Sequence, residues 1–325
     1  MSNLELAPSE DVCGGRLAVA ERPVEEFLYG REVVLGTRGM VVTRTLPNRD
    51  RRMVGAWCFI DHYGPEDTAM RVPPHPHTGL QTVSWLVDGE ILHRDSLGSL
   101  QPVRPGQLNL MTAGRAIAHS EESPAGRAPT LHGVQLWVAL PEPDRDVAAH
   151  FEHHPDLPVV SHTGVSVTVI MGSLDGVGSP AQSYSPLIGA QVALDAGAVT
   201  DLPLRPDFEH AALVLFGQVD VAGSRLDPGP LLYLGSGRSD LRLAAGPPSR
   251  LLLVGGAPFD EQIVMWWNFV GRSHEEIVRF REEWMSGRRF GEVKGYAGDP
   301  LPAPPMPTTP LKPRGRVPRT ETGVD

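Results

Sequence analysis

The stretch "PPHPHTGLQTVSWLVDGEIL", Pro73 to Leu92, decides the fold. From Leu80 onward apolar and polar residues alternate. The run stops at Asp88-Gly89 and resumes in "EILHRDSL". An Asp-Gly dipeptide between two such runs marks a tight β-hairpin, because both turn positions need a positive φ. The same grammar surrounds it. "REVVLG", "GMVVTRTL", "MVGAWCFIDHYGP", "LNLMTAG" and "LHGVQLWVAL" are short β-prone runs bounded by Gly or Pro. Short strands at this spacing predict a sandwich or small barrel.

The second half repeats the theme in "QVALDAG", "AALVLFGQVDVAG", "PLLYLGSG" and "RLLLVGG". "WLVDGEIL" followed by "VRPGQLNLM" has a counterpart in "LVLFGQVDV" followed by "LDPGPLLYL". Each is strand, Gly turn, strand, then Pro-Gly and a further strand. The expected fold is therefore all-β, a duplicated barrel. The expected layout is a flexible N-terminus (1–20), a first barrel (21–141), a linker (142–158) and a second barrel (159–298). A closing helix (273–286) and a Pro-rich, extended or disordered tail (299–325) complete it. The helix rests on "RSHEEIVRFREEWMSG": Ser273 and Glu276 form a capping box. Ile277, Phe280 and Trp284 form an apolar stripe, and Gly287 stops it.

Composition narrows the function classes. The 325 residues suit two domains, and 41% hydrophobic content can fill their cores. The 35 glycines and 32 prolines fit many turns. A net charge of −10 argues against direct nucleic-acid contact and against anionic membranes. No run approaches the ~20 apolar residues of a membrane span. The two cysteines, Cys13 and Cys58, make no disulfide framework, and the acidic N-terminus does not read as a signal peptide. A soluble cytoplasmic protein is expected.

His75 and His77 stand one residue apart. On a strand they share a face, a little under ~7 Å apart at the backbone, so both can reach one ion. Pro76 between them puts the segment at a strand end or sheet edge. His119 and Glu121 in "RAIAHSEES" repeat the spacing. Three imidazoles and a carboxylate suit Fe(II), Mn, Cu, Ni or Zn better than Ca or Mg. The second half has no such pair. Glu209 and His210 are adjacent, so they should lie on opposite faces, and no metal is expected there.

"RTLPNRDRRMVGAWCFIDHYGP", "VPPHPHTGLQTVSWLVDGEILHRDSLG", "RPGQLNLMTAGRAIAHSEE" and "HGVQLWVALP" resemble the pirin family, in order and spacing. "MWWNFVGRSHEEI" resembles its closing segment. The resemblance implies a two-barrel member of the cupin superfamily with iron held by His75, His77, His119 and Glu121. It implies quercetin 2,3-dioxygenase activity on a flavonol-like aromatic substrate, with Glu121 as ligand and general base. It also implies an alternative: an iron-binding regulator that meets protein partners through a redox-sensitive surface. One departure bears on the pocket. The family's Arg-Gly-Phe-Glu after the second histidine is here Thr78, Gly79, Leu80, Gln81.

The remaining histidines are read conservatively. His93, on the strand after the turn, could face the pocket, but an ordinary polar strand position is the preferred reading, and His62 serves a turn. Of His132 and Gln135 at most one faces a barrel interior. His150, His153 and His154 are solvated linker residues. Trp266, Trp267 and Phe269 are packing residues.

Overall fold

The structure, a computed structural model, describes residues 11–14, 24–35, 40–126, 130–313 and 315. In chain order its first half holds strands β1 (Asp11–Gly14), β2 (Glu26–Leu28), β3 (Arg31–Leu35), β4 (Met40–Leu46), β5 (Trp57–Asp67), β6 (Arg71–His77), β7 (Leu80–Asp88), β8 (Ile91–Asp95), β9 (Leu100–Val103), β10 (Leu108–Thr112), β11 (Ile117–Glu122), β12 (Thr130–Ala139) and β13 (His150–His154). Then come β14 (Val159–His162), β15 (Val165–Leu174), β16 (Val177–Gly178), β17 (Leu187–Leu194), β18 (Val199–Pro203), β19 (Glu209–Phe216), β20 (Val219–Val221), β21 (Ser224–Leu226), β22 (Leu231–Gly235), β23 (Asp240–Ala245), β24 (Ser249–Gly256), β25 (Gln262–Trp266) and β26 (Phe269–Gly271). Helix α1 (His274–Met285) follows.

These make two barrels of one design. The first pairs a large sheet, β13-β10-β7-β12-β5-β4-β3, with a small one, β6-β11-β8-β9. The second pairs β14-β15-β17-β24-β19-β22-β2 with β18-β23-β20-β21. The small sheets share one strand order, so β18 answers to β6, β23 to β11 and β19 to β7. Gly89 and Gly217 turn the equivalent hairpins with φ of +93° and +80°. The duplication read from the sequence is real in three dimensions.

The outer faces of the large sheets pack together. Their shared core holds Cys58, Ile60 and Val83 from one barrel and Ala211, Leu213 and Val254 from the other. Trp57 crosses the junction, its indole N–H 3.1 Å from the carbonyls of Ile188 and Gly255. Equivalent polar residues clamp each side. Gln81 donates to the carbonyl of Gln182, and Glu209 accepts from the backbone N–H of Gly55.

Several expectations change. The segment 150–154, read as linker, is edge strand β13 on β10 of the first barrel. It alternates Phe151 and His153 inward with His150, Glu152 and His154 outward, a period obscured by three histidines. Within the expected flexible N-terminus, Asp11–Gly14 pairs with β25; the rest of 1–20 lies outside the described residues. Residues 299–313 are extended but packed. Ala303 and Leu311 are buried, and the Leu301 N–H donates to the Pro74 carbonyl. The tail beyond residue 315 lies outside the described residues. The helix forms as expected, with Ser273 Oγ accepting from the Glu276 N–H. Ile277 and Phe280 pack on Trp266, Trp267 and Phe269. No described helix is long and apolar enough to cross a membrane.

Candidate metal centre

Strands β6 and β11 pair directly, with His75 opposite His119. That register gathers the two spaced pairs inside the first barrel. His75, His77, His119 and Glu121 are all buried. His75 and His77 present their Nε2 atoms 3.2 Å apart, and His77 and His119 theirs 3.1 Å apart. The metal-capable atoms of His75, His77 and His119 lie within 4.8 Å of one another.

The hydrogen bonds decide which nitrogens are available. The Nδ1–H of His75 donates to the Pro73 carbonyl at 2.8 Å, and that of His77 to the Asn268 carbonyl at 3.1 Å. A neutral imidazole has one proton, so both Nε2 lone pairs face each other across 3.2 Å. Two acceptors at that distance repel unless a cation sits between them. Nitrogens coordinated at ~2.1 Å and at right angles would stand about 3 Å apart. The residues fit a metal ion.

Burial keeps the rings neutral. It holds the His75 imidazole down at about 4, and burial with neighbouring imidazoles holds His77 and His119 well below their usual range. Neutral imidazoles bind metal without first losing a proton.

His93 corrects the sequence reading. It is buried inside the barrel, with Nδ1 3.4 Å from Nδ1 of His119 and Nε2 3.0 Å from Asp95 Oδ2. One set of tautomers satisfies this chain. His119 donates to His93, His93 donates to Asp95, and Nε2 of His119 stays open. The His93 ring also stacks on Phe151, centroids 4.4 Å apart. His93, His119 and Glu121 form a second group within ligand distance.

A polar row crosses the interior of the large sheet. Arg44, Asp61, Gln135, Ser84, Asn109 and His153 are in register across six strands. Arg44 grips Asp61 with two bonds of 2.8 and 2.9 Å, and His153 meets Asn109 at 2.7 Å. Ser84 lies 3.0 Å from both Glu121 Oε1 and Gln135 Oε1. With one proton to give, it donates to Glu121 when the Gln135 amide is turned to donate to it. Gln135 is thus the inward residue of β12. His132 points away and pairs with His62, Nε2 to Nε2, at 3.1 Å. His62 is accordingly a mid-strand residue at the barrel junction, not a turn residue.

Next to the row lies Tyr63, buried above Gly133. A Cβ at Gly133 would stand 2.9 Å from the phenol oxygen, so glycine makes room for the ring. The Tyr63 hydroxyl has no hydrogen-bond partner among the described residues. Burial pushes it well above the usual phenol range, and the carboxylates of Glu121 and Asp61 add to this.

Gln81 turns away from the imidazoles toward Thr112 and Gln182. Its lost charge is therefore felt at the barrel junction. Cys58 is buried, with its thiol pushed up to about 12, and is no nucleophile.

Two barrels of shared strand order, one with an imidazole–carboxylate cluster on paired i, i+2 sites, define a two-barrel cupin. The family profile described as Pirin matches residues 39–138, and that of the Pirin C-terminal cupin domain matches residues 189–291. The chain belongs to the pirin family. It is 50% identical to a Pseudomonas aeruginosa protein named "Putative quercetin 2,3-dioxygenase", over 83% of this chain and 87% of that one. A Caulobacter vibrioides pirin-like protein is 36% identical over 76% of this chain and 88% of its own. The solved quercetin 2,3-dioxygenase of Acinetobacter baumannii superposes with a TM-score of 0.83 at 40% identity, covering 89% of this chain and 98% of that one.

Proposed function

We propose that the first barrel is a metal-dependent dioxygenase site that opens the central ring of flavonols such as quercetin. The observation that carries this is the pair of fixed, facing Nε2 lone pairs on His75 and His77, with His119 in the same group and Glu121 grouped with His119 and His93. The names carried by the Pseudomonas and Acinetobacter relatives support the substrate class.

His75, His77, His119 and Glu121 would hold the ion. Their softness suits Fe(II), with Mn, Ni, Cu or Zn as alternatives. When bound, the ion supplies Lewis acidity toward a substrate oxygen and a redox-capable centre for O₂ chemistry. The chain's own residues do the rest. Glu121 accepts the proton of the flavonol 3-hydroxyl, with Ser84 orienting its carboxylate. Asp95 and His93 hold His119 in the tautomer that keeps Nε2 open. Trp137, edge-on to His77 at 5.2 Å, gives the interior an apolar wall that excludes water.

Oxygen uptake by the iron-loaded protein with quercetin, beside Glu121→Gln, tests this. Uptake should require both quercetin and Glu121. A protein that holds iron but takes up no oxygen contradicts the proposal.

A further inference from the structure

The second barrel has a cavity of about 270 Å³ at its mouth, lined by Leu174, Ile188, Leu204, Arg205, Phe208 and His210 among others. Its position is informative. Counting back from the matched hairpin glycines, Arg205 stands twelve residues before Gly217, as His77 stands twelve before Gly89. The cavity therefore occupies, in the second barrel, the place of the metal centre in the first. There Thr82 is in register with Trp137, and Trp137 with Phe59. Here the same row reads His210, Gly255, Ile188. The glycine in place of tryptophan leaves room for the imidazole: a Cβ at 255 would meet His210 Cδ2 at 2.7 Å.

His210 is 1% exposed, yet its Nδ1 has no hydrogen-bond partner among the described residues. A buried imidazole nitrogen without a partner costs stability, so such a group in a cavity wall points to something that fills it. The lining holds two charged residues, Asp175, whose carboxylate disfavours an anion, and Arg205, which is already matched. Arg205 pairs with Asp207 and lies over the Phe208 ring at 4.3 Å. The rest of the lining is mostly apolar. An anion gains little here. A hydroxyl can donate or accept, and so satisfies His210 Nδ1 in either tautomer.

We propose that this cavity is a second binding site, for a small neutral phenol whose hydroxyl bonds His210 and whose ring packs on Phe208, Ile188 and Leu204. Its volume falls just below the ~300–1,000 Å³ of pockets for drug-sized ligands, which suits a single ring. Burial holds His210 down at about 4, so the imidazole is neutral at physiological pH. The site is independent of the dioxygenase reading.

The test is calorimetric titration of the metal-loaded, full-length protein with 4-methylphenol and, separately, toluene. The phenol should bind saturably, and toluene at least about tenfold more weakly. His210→Phe should weaken phenol binding by a similar factor while leaving oxygen uptake with quercetin unchanged. Ser173→Trp, at the exposed rim of the cavity, should block it without altering the core, and decides the matter if His210→Phe does not fold. No saturable binding, equal binding of toluene, or binding unchanged in a folded variant would each overturn the assignment.

Discussion

The two barrels share a strand order and differ in what they point inward. Across the large sheet of the first run Arg44, Asp61, Gln135, Ser84, Asn109 and His153. The corresponding row of the second is Val169, Ala190, Leu253, Ala212 and Leu232, ending at the exposed Phe27 on the edge strand. Where β11 carries His119 and Glu121, β23 carries buried Leu241 and Leu243. One backbone thus supports either a hydrogen-bonded polar interior or an apolar one. The apolar barrel gains stability from burial. The polar barrel gives up some of that burial for groups fixed in orientation before a ligand arrives. The candidate metal site also draws on a distant part of the chain, since the Asn268 carbonyl orients His77.

The strongest way to break the contrast is His77→Ala. It should abolish metal retention and reduce oxygen uptake with quercetin by about 100-fold or more, with metal content as the direct readout. A folded variant that keeps its ion would remove His77 from the centre.

The junction offers a sharper comparison, because Gln81 and Glu209 occupy equivalent positions. Glu209 accepts from Gly55 N–H and the Tyr233 hydroxyl, with Arg51 at 3.6 Å. Glu209→Ala leaves the buried Arg51 only the half-exposed Glu26 at 3.7 Å and should cost about 3 kcal/mol. Gln81→Ala loses only neutral hydrogen bonds and should cost about 1–3 kcal/mol. Urea unfolding would rank them, and the reverse order would contradict the described clamp.

Acid should weaken the fold. Burial, with His132 adding, holds His62 down at about 4, and burial alone does most of this for His210. Below the ordinary 6.5 the unfolded chain binds protons that these folded imidazoles refuse. Stability is therefore full above pH 6.5 and falls as pH drops toward 4, by up to about 1.4 kcal/mol per unit for each group. His62→Gln should flatten the curve by one group's share, measured by urea midpoints across that range.

The smallest effect should be Tyr63→Phe. A hydroxyl with no partner among the described residues contributes little, so stability should change by less than about 1 kcal/mol. A larger loss would mean that an ordered water holds the phenol in place.

The strands, the duplication and the closing helix were legible in the sequence, since each leaves a local period or a turn signal. So was the inward placement of His75, His77, His119 and Glu121 in one barrel, because i, i+2 spacing survives into a strand. The rest of the site was not. His93 joins it through pairing of β8 with β11, and Ser84 and Gln135 meet through the register of β7 and β12. Such partners are far apart in sequence and ordinary in type. Strand β13 was hidden because His150, Glu152 and His154 gave its outer face the look of a solvated linker.

The proposed function stands or falls on a metal ion held in the first barrel by His75, His77, His119 and Glu121. The most direct measurement is metal content after Fe(II) loading and desalting, for the wild type and for His119→Ala. One ion per wild-type chain, lost in the folded variant, is the predicted result. A wild-type chain that retains no ion, or a folded variant that retains as much as the wild type, would contradict the account.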